Sequence, residues 1–199
     1  ILVKRLHVKY LAVGTDFHFG HNRKGSYRLL EEMSGECGFQ VEVVEKACYD
    51  GEEISSTRIR RELEQGHMEL VNQLLGYNFS VTGEVLHGRQ IGRTLGLPTT
   101  NLLPGPGKLL PPNGVYATRT RIADEIFEGI TNIGHKPTVG AEPRRGVETF
   151  LFDLDRNLYG DVITVNFYGF ERPERKFESL EALKARIEQD VIWGREYFR

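Results

Sequence analysis

Glycine dominates one stretch, residues 83–101, and limits what this part of the chain can form. Because glycine lacks a Cβ, it reaches φ > 0 and lets bare backbone N–H groups close on an anion. Arg89 and Arg93 add positive charge to the same stretch. The pattern predicts a nucleotide-phosphate site, with turns of an all-β protein as the alternative. The residues of the predicted site are Gly88, Gly92, Arg93 and Gly96.

Two oxygen-bearing side chains end the stretch. Thr99 and Asn101 follow Pro98, which pushes the residue before it towards an extended conformation, so both would point the same way from a short strand. A hydroxyl and an amide oxygen side by side suit Mg²⁺, with phosphates and waters as its other ligands. Neither the P-loop nor the dinucleotide-binding fingerprint occurs here. We therefore predict that Thr99 and Asn101 hold a magnesium ion.

The composition excludes several classes of protein. Hydrophobic residues make up 39% and charged residues 27% of the 199 residues, as in a globular protein of one large or two small domains. A net charge of −2 gives no basic field for nucleic acid or an anionic membrane. No apolar run reaches the roughly 18 to 20 residues of a membrane span, and the two cysteines show no metal-ligand spacing. We expect a cytoplasmic protein without nucleic-acid or membrane partners. The composition does not determine the oligomeric state.

The first part of the chain alternates strands and helices, which is the pattern of a parallel α/β sheet. The predicted elements are a strand at Tyr10–Gly14, a helix at Tyr27–Met33 that stops at Ser34-Gly35, a strand at Gln40–Val44, a helix from Ser55 or Ser56 to Gln65, and a shorter helix through Leu70 and Leu75 that ends at Gly76.

From residue 77 the composition becomes rich in strands. Short β-rich runs separated by Gly and Pro turns indicate an antiparallel sheet or a closed barrel. The runs are residues 80–87, 115–122, 125–133, 147–153 and 161–168. A last helix, capped by Ser179, would pack across one end of the sheet. Its apolar residues at helical spacing are Leu180, Leu183, Ile187 and Val191.

Glu148 is the candidate catalytic residue of this part. On its predicted strand it alternates onto the face of Phe150 and Phe152. A carboxylate on an apolar face is costly without a role or a partner, and burial there suits it to accept a proton from a hydroxyl. A salt bridge to Arg144 or Arg145 is the alternative.

Two stretches of the first part carry possible chemistry. Residues 14–25 form a turn-rich loop after a strand, where α/β sheets place ligands. Residues 54–60 open a helix whose free N–H groups, hydroxyls and Arg58 would suit a phosphate. A plain helix cap with surface arginines is the alternative for the second stretch.

Three motifs resemble one family of enzymes. Gly92-Arg-Thr-Leu-Gly-Leu-Pro-Thr-Thr-Asn101 resembles the Gly-Arg-x-Leu-Gly-x-Pro-Thr-x-Asn signature of riboflavin kinases, in particular the kinase module of the bifunctional bacterial riboflavin kinase/FAD synthetase family. That family usually has Ala where this chain has Thr100, on the side of the strand away from Thr99 and Asn101. Residues 14–25 and 54–60 resemble two motifs of the family's FMN adenylyltransferase module.

His18-Phe-Gly-His21 matches the His-x-Gly-His of nucleotidyltransferases by letters alone. In the family this motif lies near the N-terminus, after the first strand and at the start of a helix, so we interpret the match as coincidental. The true motif is then absent from these 199 residues, and we predict that this chain does not make FAD efficiently.

The resemblance implies an activity and roles for residues. A riboflavin kinase transfers the γ-phosphoryl group of ATP to riboflavin and gives FMN and ADP. Glu148 matches the family's catalytic base, and Thr99 and Asn101 would hold Mg²⁺ beside an ADP moiety bound by residues 88–96. Further residues match the family's nucleotide and flavin sites: Asn132, Gly134, Thr138 and Arg172.

The resemblance also implies the architecture. Residues 1–76 would be the C-terminal part of a truncated Rossmann-like nucleotidyltransferase domain. Residues 77–199 would be a six-stranded antiparallel riboflavin-kinase β-barrel with a C-terminal helix. A flavin- or nucleotide-binding barrel without catalysis is the alternative function.

Overall fold

The computed structural model of the chain describes residues 1–87, 98–136 and 144–199. Contacts between residues divide the chain into two compact units, Ile1–Ser55 and Ser56–Arg199. Each unit has its own apolar core.

The first unit is built on the parallel pair predicted from the sequence. Its elements are β1 (Tyr10–Gly14), β2 (His18–Phe19), β3 (Gly25–Ser26), α1 (Tyr27–Cys37), β4 (Gln40–Val44), β5 (Cys48–Tyr49) and β6 (Glu52–Glu53). Strands β1 and β4 pair in parallel along their whole length, and Val13, Leu30 and Phe39 form the core between them and α1. The short strands form two antiparallel pairs, β2 with β3 and β5 with β6.

Helix α1 is longer than predicted. It continues through Ser34 and Gly35 and ends at Cys37, where Gly38 takes the left-handed conformation with φ of 70°. The predicted end at Ser34-Gly35 was wrong because a glycine within a helix only weakens it, whereas a left-handed glycine after the last turn ends it.

The second unit contains the remaining elements and forms the sheet that carries the candidate site. Its elements are α2 (Ser56–Gln65), α3 (Met68–Leu75), β7 (Ser80–Glu84), β8 (Thr99–Leu102), β9 (Gly114–Ile122), β10 (Glu125–Lys136), β11 (Arg144–Leu151), β12 (Val162–Pro173) and α4 (Leu180–Tyr197). The six strands lie in the order β7-β12-β9-β10-β11-β8, and every neighbouring pair is antiparallel.

The sheet curls so that its two edges approach each other. Just beyond β7, the Leu86 N–H donates to the carbonyl of Asn101 in β8 at 2.8 Å. Side chains from all six strands, among them Val81, Leu102 and Phe167, share one core on the inner face. The predicted six-stranded antiparallel barrel is therefore confirmed as a strongly curled, partly open sheet.

Helices α2 and α3 pack against this sheet. Leu63 and Met68 belong to the same core as Val81 and Phe167, and the Asn72 side chain donates to the Phe167 carbonyl at 2.8 Å. The division by contacts therefore falls after residue 55, earlier than the boundary between residues 76 and 77 that the sequence predicts. As a boundary between family domains, the latter stays a prediction.

Helix α4 lies across the outer face of the sheet. Ser179 caps it as predicted, because its hydroxyl accepts from the Ala182 N–H at 3.1 Å. Ile187 and Val191 pack on a cluster of Val115, Ile130 and Phe152. Leu180 is 60% exposed, so the predicted apolar stripe is wrong at its first position, which stands at the helix's N-terminal end.

The substitution Met68→Ala tests the packing of α3. Because Met68 is fully buried in the core shared with the sheet, we expect its loss to lower the free energy of unfolding by about 2–5 kcal/mol. Urea unfolding followed by the fluorescence of Trp193 in α4 measures the change.

Leu180→Ala is the matched control, since it removes an exposed apolar side chain from the same unit. We expect it to change the free energy of unfolding by less than about 0.5 kcal/mol. An unchanged unfolding midpoint for Met68→Ala would contradict the packing of α3 on the sheet.

Candidate functional site

The register of the sheet brings distant parts of the sequence into one row. Residues that pair directly across neighbouring strands lie on the same face of a sheet. Five strands contribute to this row, which runs on the outer face, in the order Arg172, Val115, Asn132, Glu148 and Asn101. Four of its five members are residues predicted from the sequence as site residues.

Glu148 makes a short hydrogen bond within the site. The Thr99 hydroxyl donates to Glu148 Oε1 at 2.7 Å, and the carboxylate is half-buried beside Phe150. Arg145, one of the alternative partners for Glu148, instead donates to the side chain of Asn113 at 2.8 Å. The hydroxyl predicted to bind a cation and the predicted base are therefore in direct contact.

A cleft of about 380 Å³ lies between this face of the sheet and α4. Its walls are largely apolar, with polar groups converging at Thr99 and Glu148, as in sites for small molecules. The sheet contributes Thr99, Val115, Ile130, Asn132, Glu148, Phe150 and Arg172. The following segment and α4 contribute Glu174, Arg175, Phe177, Leu183, Ile187 and Asp190.

A second cleft, of about 370 Å³, shares the lining residue Thr99 with the first. Its lining is more polar than that of the first and includes Thr99, Asn101, Asp155, Arg156, Asn157 and Tyr159. Thr99 lines both clefts, and Glu148, which accepts its hydrogen bond, lines the first. This arrangement suits transfer of a group between two bound molecules.

The oxygen atoms at this junction fit a hard cation. Because the Thr99 hydroxyl gives its proton to Glu148, its oxygen lone pairs face away and can accept, and the row places Asn101 directly opposite Glu148. Among the described residues, no group of three or more His, Cys, Asp or Glu side chains could hold a metal. A cation here would take most of its ligands from phosphates and water, as Mg²⁺ commonly does.

Comparison with models of protein families shows the family to which the chain belongs. Residues 75–198 match the family model described as riboflavin kinase, and residues 1–58 match that described as FAD synthetase. The chain belongs to the riboflavin kinase family.

The names of its curated relatives combine a riboflavin kinase with an FMN adenylyltransferase. The chain is 40% identical over 198 residues to the bifunctional riboflavin kinase/FMN adenylyltransferase of Haemophilus influenzae, covering 99% of this chain and 64% of the relative. It is 41% identical over 199 residues to the Escherichia coli enzyme of the same name, covering 100% of this chain and 63% of that one. The chain thus spans less than two thirds of these relatives.

A solved structure supports the fold. A chain titled macrolide-efflux protein from Streptococcus pneumoniae is 28% identical, with a TM-score of 0.80. The match covers 89% of this chain and 57% of that one. No helix in residues 1–87, 98–136 and 144–199 is long and apolar enough to cross a membrane.

Arg172 lines the first cleft of this riboflavin kinase family member, and a buried acid holds it. Its guanidinium donates to both carboxylate oxygens of Asp190 at 2.9 and 2.5 Å. Asp190 lies in α4, is 1% exposed, and also accepts from Arg186 at 2.8 Å. The ion pair therefore ties β12 to α4 at the wall of the cleft. Contact of Arg172 with a flavin stays a prediction.

Threonine hydroxyls tie the same strands together on the inner face. Thr118 and Thr131 are 2.8 Å apart at their hydroxyls, and so are Thr131 and Thr149. Thr100 donates to the Thr149 carbonyl at 3.3 Å, so it lies on the opposite side of the strand from Thr99 and Asn101, as the alternation predicts. The site's row and this ladder occupy the two faces of the same strands.

Gly134 lies in β10, opposite Gly146 of β11. A side chain at this position would collide with the carboxylate of Glu174 and crowd the Asn132 amide. Gly134 is therefore needed for steric reasons, and its role in a binding site stays a prediction. Five predicted site residues, Gly88, Gly92, Arg93, Gly96 and Thr138, lie outside the described residues.

Sequence reasoning missed Asn113 and Asp190. The acid at Asp190 could have been found, because it stands three residues after Ile187 on a helix face predicted to be apolar. No local sequence pattern points to Asn113, because it lies in a loop after two prolines. Its contacts depend on how three strands are paired.

In the first unit, the two histidines that match the nucleotidyltransferase motif by letters do not open an α-helix. His18 is in β2, with its Nδ1 2.8 Å from the Asp16 carbonyl. His21 begins a three-residue 3₁₀ turn in which Asn22 has a positive φ of 54°. This geometry differs from the helix start that the family motif occupies.

The substitution Asp190→Asn tests the buried ion pair. It leaves Arg172 and Arg186 without their shared negative charge, and breaking a buried pair typically costs about 3–5 kcal/mol. We expect a loss of stability of this size in urea unfolding. A loss below about 1 kcal/mol would contradict a structural role for the pair.

Asp153→Asn is the matched control, because Asp153 also pairs with an arginine of α4, Arg195, through two bonds of 2.8 and 2.9 Å. Its side chain is 75% exposed, and asparagine keeps its left-handed φ of 57° without strain. We expect no measurable shift of the urea unfolding midpoint, because an exposed ion pair is screened by solvent and contributes little.

Proposed function

We propose that this chain transfers the γ-phosphoryl group of ATP to the ribityl 5′-hydroxyl of riboflavin, giving FMN and ADP. The observation that carries the proposal is the hydrogen bond from Thr99, which lines both clefts, to Glu148, which lines the first. Both the family of the chain and the names of its relatives agree with this reaction.

The two clefts suit the two substrates differently. The cleft under α4 has apolar and aromatic walls, including Phe150, Phe177 and Ile187, which fit the flat ring system of riboflavin. The other cleft contains Arg156 and several oxygen-bearing side chains, which suit a nucleotide and its phosphates. The ribityl chain would then reach Glu148 from one side and the triphosphate from the other.

In the proposed reaction, the ribityl 5′-oxygen forms a bond to the γ-phosphorus while the bond from that phosphorus to the ADP oxygen breaks. Glu148 accepts the hydroxyl proton. Such transfer depends mostly on holding the two reactants in line and on neutralising charge, since the protein has little covalent work to do. The Thr99 hydroxyl orients the Glu148 carboxylate through their hydrogen bond.

We propose that Thr99 and Asn101 hold Mg²⁺ together with the phosphates of ATP. When bound, Mg²⁺ supplies positive charge that neutralises the phosphates. The supporting observation is that both residues carry an uncharged side-chain oxygen and lie on the same face as Glu148, Asn101 directly across from it and Thr99 in hydrogen-bond contact with it. Glu148 is therefore left for proton transfer.

We also propose that the 199 residues alone form no FAD. Residues 1–58 match the FAD synthetase family, but the histidines at 18 and 21 lie in a strand and a 3₁₀ turn. Incubation with riboflavin and MgATP, followed by chromatography, is expected to yield FMN without FAD.

The substitution Glu148→Gln tests the proposed base. Because glutamine keeps the size and can still accept from Thr99 but cannot take a proton, we expect kcat for FMN formation to fall by about 10²- to 10⁴-fold. Binding of riboflavin and ADP should be retained. Kinetic measurement of FMN and equilibrium binding distinguish the two effects.

Glu128→Gln is the matched control, since Glu128 lies on β10 and pairs with Arg119 at 2.9 Å, outside the cleft. It should leave kcat within about twofold of the unsubstituted chain. If Glu148→Gln kept kcat within about threefold, Glu148 would not be the base. Riboflavin binding without ATP consumption by the unsubstituted chain would instead indicate a binding module.

The pair Thr99→Val and Thr99→Ser tests the proposed metal ligand. Valine keeps the shape and removes the oxygen, so we expect half-maximal activity to require at least about tenfold more Mg²⁺; serine keeps the hydroxyl and should stay close to the unsubstituted chain. Titration of FMN formation with MgCl₂ at saturating ATP measures this. Equal magnesium requirements for the two variants would exclude Thr99 as a ligand.

A further inference from the structure

A polar cluster at one end of the first cleft is not part of the proposed chemistry. It consists of Asn113, His135, Arg145 and Glu174, and we refer to it as the Asn113 cluster. Arg145 Nε donates to Asn113 Oδ1 at 2.8 Å, and Asn113 Nδ2 donates to Glu174 Oε2 at 3.2 Å. The same Nδ2 lies 3.0 Å from His135 Nδ1. A single amide thus contacts three separate segments of the chain.

The partners fix the orientation of the Asn113 amide. Arginine can only donate, so it must face the amide oxygen; an ionised carboxylate can only accept, so Glu174 must face the NH₂ group. In this contact the Nδ1 of His135 therefore faces the amide's NH₂ group as an acceptor. All the hydrogen bonds of the Asn113 cluster are consistent with this one arrangement.

The chain before Asn113 is itself held firmly. The Tyr116 hydroxyl donates to the Pro112 carbonyl at 2.5 Å, and burial raises the pKa of this phenol, so it stays a neutral donor. Arg145 also donates to the carbonyls of Leu110 and Pro111. Asn113 therefore presents its side chain from a fixed backbone.

Glu174 is the member of the cluster that borders the cleft. Its N–H donates to the Asn113 carbonyl at 3.3 Å, so Asn113 holds it by both backbone and side chain. The missing side chain at Gly134 leaves the space that the Glu174 carboxylate fills, next to the Asn132 amide. The chain continues from Glu174 to Arg175 and Phe177, which line the cleft.

We propose that Asn113 is a positioning residue that sets the affinity for riboflavin by holding the wall formed by residues 174–177 against the sheet. The inference rests on the proposed function, because it takes riboflavin as the occupant of this cleft. Arg172 and Asp190 tie this wall on its other side. Asn113 does not line either cleft, so it acts through Glu174 on binding and leaves the proton transfer at Glu148 unchanged.

The substitution Asn113→Asp separates this role from a purely structural one. The new carboxylate keeps an oxygen for Arg145, but it faces Glu174 with a like charge and no donor. A lost hydrogen bond to a charged group corresponds to a change of about 10- to 100-fold in affinity. We expect the Kd of riboflavin, measured by quenching of its fluorescence without ATP, to rise by this factor. The KM for ATP should stay within about twofold.

The double variant Asn113→Asp/Glu174→Gln reverses the direction of the hydrogen bond. The introduced glutamine can donate to the introduced aspartate, and the repulsion between two carboxylates is gone. We expect the Kd of riboflavin to return to within about threefold of the unsubstituted chain. A merely structural role of Asn113 would give no such rescue.

Two further variants complete the experiment. Asn166→Asp is the matched control, because Asn166 Nδ2 donates to the Arg119 carbonyl at 3.2 Å away from both clefts, and it should leave the Kd of riboflavin unchanged. Glu174→Ala removes the other partner at an exposed position, where truncation does not endanger folding. It should raise the Kd as Asn113→Asp does.

An unchanged riboflavin Kd for either Asn113→Asp or Glu174→Ala would overturn the inference, as would a double variant that stays as weak as Asn113→Asp. An unsubstituted chain that binds riboflavin but forms no FMN would count against the proposed function alone, because affinity is measured without ATP.

Discussion

The candidate site depends on the antiparallel register of β8, β11 and β10. This register places Asn101, Glu148 and Asn132 in one line on the outer face. A slip of one residue in β11 would turn Glu148 towards the apolar core and bring Val147 or Thr149 to the cleft. Since an unpaired carboxylate in a core is costly, the pairing that favours the fold is also the pairing that assembles the site.

Different interactions hold the two faces of the sheet. On the inner face, the hydroxyls of Thr118, Thr131 and Thr149 link three strands, each bond contributing about 1 kcal/mol. On the outer face, Asp190 joins β12 to α4 through Arg172. A buried ion pair adds little net stability over apolar packing but is costly to break. Its main effect is therefore to fix where α4 stands over the cleft.

Local patterns gave much of the fold and part of the site. Alternation along a strand was enough to put Glu148 beside Phe150, and Gly66 and Gly76 marked the ends of α2 and α3. The contact between Thr99 and Glu148 could not be predicted from local pattern, because 49 residues separate them and their approach depends on which strands pair. Local pattern could not predict the partner of Arg172 either, because Asp190 belongs to a helix that packs across the sheet.

A crystal structure of this chain with riboflavin, ADP and magnesium tests the central claim most directly, through the distance from the ribityl 5′-oxygen to the Glu148 carboxylate. We predict a hydrogen bond of about 2.6–3.2 Å, with the flavin ring between the sheet and α4. A flavin ring in the other cleft, or a 5′-oxygen beyond the reach of Glu148 even through one water, would contradict the account.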